Sequence, residues 1–202
     1  MAGSSTRTMV FLLEEYSARV FLEEFIFRAF PILDEWDTQF IVFEGKRDLE
    51  KRLTRKLEGW LRPNTAFVVL RDRDSEDCRE LKQRLVSYVA SARRIESTLV
   101  RIACGELESW YLGQLAAVGV ALQLQNIERQ QGSRKYRNPD RLNSPSEELK
   151  RLTQLRYQKV SGSREIGRHL SCVPDDNLST SFRAFVTGVG GLIQRMSAAE
   201  TR

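Results

Sequence analysis

Short apolar runs alternate with charged, helically periodic segments along the first half of the chain. The run Met9–Leu13 predicts a strand, and a helix with an apolar face follows from the capping residue Ser17 to a stop at Pro31. The run Phe40–Phe43 predicts a second strand. After it, leucine recurs at every fourth position of a charged helix, at Leu49, Leu53, Leu57 and Leu61. The chain therefore begins with two successive strand–helix units.

Two further strand–helix units are predicted. The run Ala66–Leu70 is short and rich in β-branched residues, as expected for a buried strand of a parallel sheet, and a helix follows from Ser75 or Glu76. The run Leu99–Ala103 predicts a fourth strand, and the uncharged segment after it predicts a single helix around residues 110–124. Four such units predict an α/β fold, in which a right-handed, mostly parallel sheet carries helices on both faces.

The pattern changes after residue 127. A basic loop comes first, and the periodicity then predicts short helices around residues 146–155 and 163–170. A final helix is predicted from Ser179 or Ser181, with an apolar face formed by Phe182, Phe185, Val186 and Val189. We therefore predict an α/β core over residues 9–127 and a basic, mostly helical C-terminal extension over residues 128–195 that packs on the core.

The composition predicts a location. Hydrophobic residues make up 41% and charged residues 29% of the 202 positions, which is typical of a globular domain. Residues 1–8 lack the long apolar core of a secretion signal, and the longest uncharged stretch, 109–127, is interrupted by glutamines and glycines. We therefore expect a cytoplasmic protein with no membrane partner, and the sequence leaves oligomerisation open.

The cysteines and the histidine argue against disulfides, zinc and histidine-based catalysis. Cys78, Cys104 and Cys172 are odd in number and widely separated, with no Cys-x-x-Cys pair, so we expect reduced thiols in or near the core. His169 is the only histidine, which excludes most schemes that need two histidines or a histidine with a nucleophile. A structural or surface role is expected for it.

The net charge of +5 is concentrated in one region. Residues 128–168 contain 11 Lys or Arg residues and 5 Asp or Glu residues, whereas the rest of the chain is nearly balanced. Such a surface attracts polyanions, although a basic flank on a solvated loop is equally common. Tyr136 in this region either stacks on a base or packs against the protein. The candidate contacts to a nucleic-acid backbone are Arg134, Lys135, Arg137 and Arg141.

Acidic residues follow three of the four predicted strands. Glu14 follows the first strand, and Asp72 and Asp74 follow the third. Glu108, or less favourably Glu106, follows the fourth. The carboxyl ends of parallel strands share the edge where open α/β sheets bind ligands, so these acids are expected to converge. Carboxylates bind Mg²⁺, and Mn²⁺ as a substitute, and such an ion polarises a phosphodiester while Glu14 acts as base or as a second metal ligand. The alternative is that these are ordinary acidic surface loops.

The acid motifs resemble a known fold family. The strand that ends at Glu14 and the later strand that ends at Asp72-x-Asp74 resemble the Toprim fold, the Mg²⁺-dependent core shared by topoisomerases, bacterial primases and OLD-type nucleases. In more detail, segments 13–17, 69–78, 106–112 and 157–159 resemble the bacterial family catalogued as domain of unknown function 4276, over about residues 9–193. Its Glu-x-Trp element and late Tyr-x-Lys pair are more specific than the Asp-x-Asp motif alone.

The resemblance implies a Toprim-like protein, of a family often encoded beside ATPases and in anti-phage gene neighbourhoods. It carries over as metal ligands Glu14, Asp72 and Asp74, with Glu108 as the fourth candidate. It also gives Lys159 of the Tyr-x-Lys pair the role of neutralising a scissile phosphate.

Two positions depart from the pattern of these families. Gln114 stands where members of the bacterial family commonly have Asp, so a fourth acid is missing there. Glu15 stands where Toprim proteins commonly have Gly. Neither change removes the three acids carried over from the motif.

We therefore predict a Mg²⁺-dependent nuclease that hydrolyses phosphodiester bonds of DNA or RNA as the effector of an ATPase-linked anti-phage system. The alternative is a non-catalytic regulatory or interaction subunit of an ATPase complex. A haloacid-dehalogenase-type phosphatase is disfavoured, because its Asp-x-Asp follows the first strand and is followed by Thr or Val where Glu76 stands. The chain exceeds the size of a response-receiver domain and leaves little room for the further domains of a topoisomerase or primase.

Overall fold

The computed structural model describes residues 6–198, so most of the N-terminal segment used to predict the location lies outside the described residues. Within residues 6–198, four strands form one parallel sheet in the order β2-β1-β3-β4. The strands are β1 (Thr8–Leu13), β2 (Asp37–Val42), β3 (Thr65–Asp72) and β4 (Thr98–Ala103). All four predicted strands are confirmed, and β3 extends far enough to include Asp72.

Eight α-helices lie within the same residues, and short 3-10 turns connect several of them. The helices are α1 (Tyr16–Ala29), α2 (Lys46–Glu58), α3 (Cys78–Ser91), α4 (Glu108–Leu112), α5 (Leu115–Ala121), α6 (Pro145–Leu152), α7 (Lys159–His169) and α8 (Thr180–Ala198). The 3-10 turns lie at Pro31–Glu35, Ile95–Ser97, Ile127–Gln130, Pro139–Arg141 and Pro174–Asp176. The predicted α/β class with a helical C-terminal region is confirmed.

Strand alternation divides the core into two layers, because successive side chains of a strand point to opposite faces of the sheet. One layer packs between the sheet and helices α2 and α3, and its strand residues include Val10, Leu12, Phe67 and Val69. The other packs against α1 and the C-terminal helices, and its strand residues include Met9, Phe11, Leu13, Val68 and Leu70. Helices therefore cover both faces, as predicted.

The order β2-β1-β3-β4 also fixes where a ligand site is expected. The chain moves from β1 to β2 on one side and then returns to β3 on the other, so the topological switch point lies between β1 and β3. Directly after β1, the backbone N–H of Glu14 donates to the carbonyl of Leu70 in β3 at 3.3 Å. The residues that follow β1 and those that end β3 are therefore direct neighbours at the switch point.

The single helix predicted over residues 110–124 is wrong, because α4 and α5 are separated at Gly113 and Gln114. Asn177 Nδ2 donates to the carbonyl of Trp110 at 2.9 Å, and the N–H of Leu178 donates to the carbonyl of Gly113 at 2.9 Å. A Cβ at Gly113 would lie 1.9 Å from Asn177 Oδ1. Glycine therefore permits a distant segment to approach and take carbonyls that a continuous helix would use.

Helices α2 and α3 each differ from the prediction at one end. Helix α2 ends at Glu58, so the fourth leucine of the repeat, Leu61, lies beyond it and is 91% exposed. Helix α3 begins later than predicted, because the carboxylate of Asp77 accepts hydrogen bonds from the N–H groups of Arg79 and Glu80 and caps it. Residues 73–76 are thereby left as a loop beside the candidate site.

The C-terminal helices lie against the same core layer as α1. Helix α7 packs on α1, and α8 packs on β4. The division of the chain at residue 127 stays a prediction. Among residues 6–198, no helix combines the length and the apolarity needed to cross a membrane.

Candidate metal centre

Glu14 is held at the switch point by the strand beside it. Its Oε2 accepts a hydrogen bond from the backbone N–H of Asp72 at 3.1 Å and lies 3.7 Å from Nε of Arg71. Burial raises the pKa of Glu14, while the hydrogen bond and the Arg71 charge oppose the rise, and the charges of Asp74 and Glu15 add to it. Glu14 is therefore a positioned carboxylate that binds a proton more readily than an ordinary glutamate.

Asp72 is a buried acid surrounded by other acids. Its side chain lies at the end of β3, and the residue is 9% exposed. Burial, followed by the charges of Glu15, Glu108 and Glu14, raises the pKa of Asp72 well above its ordinary value, while a hydrogen bond from the backbone of Leu107 opposes the rise. Acids that follow β1 and β4 therefore lie close enough to Asp72 to disfavour its charged form.

Glu108 is the most deeply enclosed of the predicted acids, with 1% exposure at the first turn of α4. Its Oε1 accepts a hydrogen bond from the Tyr157 hydroxyl at 2.8 Å, whereas its Oε2 is buried and has no hydrogen-bond partner within residues 6–198. Burial raises the pKa of Glu108, although the Tyr157 hydrogen bond and the charge of Lys159 oppose the rise. One oxygen of Glu108 is thus oriented, and the other is unsatisfied.

Asp74 turns away from Asp72 although only one residue separates them. The strand ends at Asp72, and Asp74 has a left-handed backbone (φ +53°) with its N–H donating to the carbonyl of Gly105 at 2.9 Å. Its Oδ2 accepts a hydrogen bond from Nζ of Lys46, the first residue of α2, at 2.8 Å. Asp74 therefore contacts the start of α2, while Asp72 lies among Glu15 and Glu108.

The alternation of the strands explains why the acids form two groups. Glu14 follows the β1 residues whose side chains face α2 and α3, so it lies on the same face of the sheet as Arg71. The charge of Asp74 acts on Glu14 from this side and helps to raise its pKa. Asp72 follows the β3 residues whose side chains face α1 and α7, and the charges of Glu15 and Glu108 act on it from this side. Among residues 6–198, no three His, Cys, Asp or Glu side chains are placed to hold one metal ion together. The assignment of the four acids as ligands stays a prediction.

Lys159 begins α7 and contacts one of these acids from the C-terminal region, while its role towards a phosphate stays a prediction. Its Nζ donates to Oε2 of Glu15 at 2.6 Å. Burial opposes the charge of Lys159, but the hydrogen bond and the charges of Glu15, Glu108 and Asp72 outweigh burial and raise its pKa. Each group of acids is therefore accompanied by a lysine that pairs with one of its members, Lys159 on the α7 side and Lys46 on the α2 side.

Three residues of this site were missed in the sequence, and two of them had a signal. Arg71 is 1% exposed and contacts Glu14, Glu50 and Glu76. An arginine within an apolar strand is such a signal, because a buried charge needs partners. Glu15 had a signal too, because it follows a motif acid directly, at a position where glycine is the common residue. Its backbone is extended (φ −141°), so the position does not require glycine. Lys46 had no signal beyond its place at the start of a charged helix.

Other residues singled out in the sequence have structural partners. Glu106 Oε2 accepts a hydrogen bond from the N–H of Ser146 at 2.7 Å, in the first turn of α6. The amide oxygen of Gln114, at the position of the missing acid, accepts a hydrogen bond from the N–H of Ser171 at 2.8 Å. Trp110, the tryptophan of the Glu-x-Trp element, is fully buried among aromatic rings and is part of the core.

The predicted nucleic-acid contacts lie on the loop before α6. Arg134, Lys135, Arg137 and Arg141 are all exposed. Lys135 Nζ pairs with Glu148 Oε2 at 2.5 Å, so one of the four charges is neutralised. Tyr136 is buried, and its hydroxyl donates to Glu148, so it packs against the protein. Contact between this loop and nucleic acid stays a prediction.

The thiols and the histidine agree with expectation. Cys78, Cys104 and Cys172 are all free and partly buried, and the Sγ atoms of Cys78 and Cys104 lie 3.4 Å apart. Burial and the neighbouring thiol raise the pKa of Cys104 to about 12, so it is a neutral thiol near pH 7. His169 is exposed in the last turn of α7.

The chemistry of these donors fits a hard divalent cation. The carboxylates of Glu14, Asp72 and Glu108 all have a raised pKa, partly because acids lie beside one another. The buried Oε2 of Glu108 lacks a partner. Oxygen donors with excess negative charge are what Mg²⁺ and Mn²⁺ prefer, and the site offers neither histidine nor thiolate for a softer metal.

Comparisons with known proteins agree with the fold. The family model described as domain of unknown function (DUF4276) matches residues 13–190, which is most of the chain. Among solved structures, the C-terminal region of the Xanthomonas campestris pv. campestris OLD protein is similar to this chain with a TM-score of 0.53 and 15% sequence identity. The match covers 96% of this chain and 98% of that one. At this identity, the likeness concerns the fold alone. No curated protein sequence matches the chain.

Proposed function

This chain belongs to the family described as domain of unknown function (DUF4276), and we propose that it is a metal-dependent, Toprim-like nuclease that hydrolyses phosphodiester bonds of DNA or RNA. The observation that carries the proposal is the buried carboxylate of Asp72, whose pKa is raised by burial and by the charges of Glu15, Glu108 and Glu14 at the ligand-binding edge of the sheet. Holding several acids together in a buried site opposes folding. Such a site is therefore expected to serve chemistry rather than stability.

Mg²⁺ or Mn²⁺ is the cation that suits these donors. Such ions would be held by two acids on each side of the sheet edge, by Asp72 and Glu108 on the α7 side and by Glu14 and Asp74 on the α2 side. When bound, such an ion offsets the repulsion between the acids and polarises the phosphoryl group under attack. The fold match to the OLD protein region supports the proposal only at the level of the fold.

Glu14 has the properties of a general base. One oxygen, Oε2, is fixed by the N–H of Asp72, while Oε1 forms no hydrogen bond or ion pair within residues 6–198. Its raised pKa brings the carboxylate closer to the value at which a base is efficient near neutral pH. In the proposed reaction Oε1 accepts the proton of the attacking water.

Lys159 and Tyr157 serve the same site from the C-terminal region. Lys159 remains cationic beside the acids and would exchange its contact with Glu15 for a phosphate oxygen of the substrate. The Tyr157 hydroxyl donates a hydrogen bond to Oε1 of Glu108, and Oε2 remains without a hydrogen-bond partner within residues 6–198. Both residues come from the late Tyr-x-Lys element, so one short segment supplies the phosphate contact and the orientation of an acid.

A second function is favoured by one observation. Lys46 already pairs with Asp74, and Lys159 already pairs with Glu15, so part of the negative charge is neutralised within the chain. This suits a non-catalytic regulatory or interaction subunit of an ATPase complex. In such a subunit the ion pairs persist, and they join α2 and α7 to the sheet edge.

The two functions are separated by a cleavage assay with matched variants. The full chain is incubated with DNA, RNA and tRNA in Mg²⁺ or Mn²⁺, alone and with a candidate ATPase partner. Asp72→Asn removes the central carboxylate, and Asp175→Asn removes an exposed acid from the turn before α8 as the control. The nuclease proposal expects cleavage by the wild type and the control and none by Asp72→Asn.

Two results favour the subunit function instead. One is equal cleavage by the wild type and by Asp72→Asn, which means that the activity arises elsewhere. The other is no cleavage under any condition, together with formation of an ATPase complex that does not depend on Asp72. A wild-type circular dichroism spectrum and a melting temperature no lower than that of the wild type exclude misfolding of each variant as the cause.

A further inference from the structure

The exposed side of α2 carries a row of basic residues. The helix contains six Lys or Arg residues and three Asp or Glu residues. Arg47, Lys51 and Arg55 recur every fourth position and therefore lie on one side of the helix. All three are exposed, and their side chains form no hydrogen bond or ion pair within residues 6–198. We call these three residues the α2 basic row.

The α2 basic row is not explained by the stability of the helix. The opposite side of α2 holds the leucines that pack into the core, so the row makes no packing contribution there. Like charges four residues apart repel each other and destabilise a helix slightly. Elsewhere on α2 the same spacing is used for attraction, because Arg52 pairs with Asp48 at 3.1 Å. The row is thus a series of three cations that have no ion-pair partner within residues 6–198.

The α2 basic row is continuous with the candidate site. Lys46 precedes it directly, begins the helix and bonds Asp74. From there, each step of four residues advances about 6 Å along the helix, so the row extends about 12 Å from Arg47 to Arg55. Regularly spaced cations that lead away from an acidic site complement the regularly spaced phosphates of a nucleic-acid strand.

We propose that the α2 basic row binds the sugar-phosphate backbone of a nucleic acid and guides it to the sheet edge at Lys46. This inference rests on the proposed nuclease function and adds the position of its substrate. The basic loop before α6 is a weaker candidate, because Lys135 there is neutralised by Glu148 and Tyr136 is buried. Contacts of cations with phosphates supply affinity without choice of sequence.

The test measures binding separately from cleavage. Fluorescence anisotropy of labelled single-stranded and duplex DNA and RNA is recorded with the full chain in the presence of a chelator, so that no metal-dependent cleavage occurs. The test variant is Arg47→Gln/Lys51→Gln/Arg55→Gln. The matched control is Arg134→Gln/Arg137→Gln/Arg141→Gln, which removes the same charge from three other exposed positions.

The α2 variant is expected to bind at least about tenfold more weakly, and its plot of log affinity against log salt should be shallower by about 2 for single strands. The loop control should change affinity by less than about twofold and keep the wild-type slope. Glutamine is a good helix former and the variant relieves repulsion, so its melting temperature should be unchanged or slightly higher. DNA and RNA arms identify the preferred nucleic acid.

Three outcomes overturn the inference. They are an equal or larger loss in the loop control, wild-type affinity in the α2 variant, and absence of wild-type binding to every oligonucleotide. Binding of the wild type to anionic lipid vesicles but to no oligonucleotide assigns the row to a membrane instead. Binding through the row without any Asp72-dependent cleavage retains the surface and rejects the nuclease. Asp72-dependent cleavage together with normal binding by the α2 variant retains the nuclease and rejects the binding surface.

Discussion

The backbone N–H of Asp72 donates a hydrogen bond to the side chain of Glu14 at 3.1 Å. The main chain of one acid therefore positions the carboxylate of another across the β1–β3 junction. A substitution that changes only the side chain of Asp72 leaves this bond in place. The contributions of Asp72 and Glu14 can consequently be measured one at a time.

Replacing the buried carboxylate of Asp72 should stabilise the protein while removing the proposed activity. Burial and the charges of Glu15, Glu108 and Glu14 raise the pKa of Asp72, so its charged form is unfavourable in the folded state. Asp72→Asn keeps the shape and removes the charge. At pH 7 we expect its free energy of unfolding to exceed that of the wild type by about 1 kcal/mol or more, because the variant no longer buries this charge. Urea denaturation measures the difference, and a less stable variant contradicts the electrostatic account.

The stability of the wild type should rise as the pH falls from neutral into the mildly acidic range. Glu14, Asp72 and Glu108 have raised pKa values, so the folded state takes up protons on them before the unfolded state does. The gain is complete near the ordinary carboxyl pKa values of about 4. Denaturation midpoints across this range measure it. The difference between the wild type and Asp72→Asn should shrink as the pH falls, and a constant difference would argue against the raised pKa.

Glu148, whose pKa is lowered rather than raised, limits the pH range over which stability rises on acidification. Against the effect of burial, hydrogen bonds from Lys135, Tyr136 and Arg151 lower the pKa of Glu148 to about 2. Its contribution to stability is present above the ordinary carboxyl pKa of about 4 and is lost as the pH falls towards 2. We therefore expect a maximum of stability in the mildly acidic range rather than a steady rise.

The strand ends and their acids were predictable because they depend on short-range patterns. Apolar runs mark buried strands, and parallel strands bring their carboxyl ends to one edge, which placed Glu14 near Asp72. The opposite directions of Glu14 and Asp72 are not predictable in this way, because they depend on the register in which Leu13 pairs with Leu70.

The remaining geometry depends on contacts between distant segments, which no local pattern encodes. The Asp74 side chain points away from Asp72 because its N–H donates to the carbonyl of Gly105 and its carboxylate pairs with Lys46. The break between α4 and α5 depends on Asn177, which lies far along the chain and fits only against glycine at position 113. Such pairings are chosen by the whole fold, so the local periodicity predicted a continuous helix instead.

Removing the Tyr157 hydroxyl should weaken metal-dependent activity without unfolding the protein. Tyr157→Phe deletes the 2.8 Å hydrogen bond to Glu108 and leaves a second buried oxygen without a donor. Since that bond lowers the pKa of Glu108, its loss should raise the pKa and the Mg²⁺ concentration needed for half-maximal cleavage. The expected loss of stability is about 1 kcal/mol or more.

The control for this change is Tyr136→Phe, which deletes a buried hydrogen bond to Glu148 outside the candidate site. It should lower stability similarly and leave the Mg²⁺ dependence unchanged. Equal Mg²⁺ curves for Tyr157→Phe and the wild type would show that Glu108 needs no orientation by Tyr157.

Lys159 should matter for cleavage and little for stability. Lys159→Gln breaks a half-exposed ion pair with Glu15, and such pairs contribute little to folding because water screens them. Loss of the cation that faces the substrate phosphate should lower kcat more than it raises KM. Arg168→Gln is the matched control, because Arg168 also joins α7 to the first helix through an exposed pair, with Glu24. If both variants retain wild-type kcat, Lys159 has no part in the reaction.

The close approach of α7 to α1 should be sensitive to one methyl group at Gly167. A Cβ there would lie 2.7 Å from the backbone carbonyl oxygen of Phe21, so the two helices must separate to admit it. We expect Gly167→Ala to lower the free energy of unfolding by about 1–3 kcal/mol, as in other overpacked sites. Gly190→Ala in α8 is the control, because its Cβ would meet only the ring of Phe30 at 3.4 Å, an ordinary contact.

Because α7 begins at Lys159, the displacement of this helix should also reduce cleavage. That reduction should persist at temperatures where circular dichroism shows Gly167→Ala fully folded. Wild-type stability of Gly167→Ala would mean that the helices do not approach this closely.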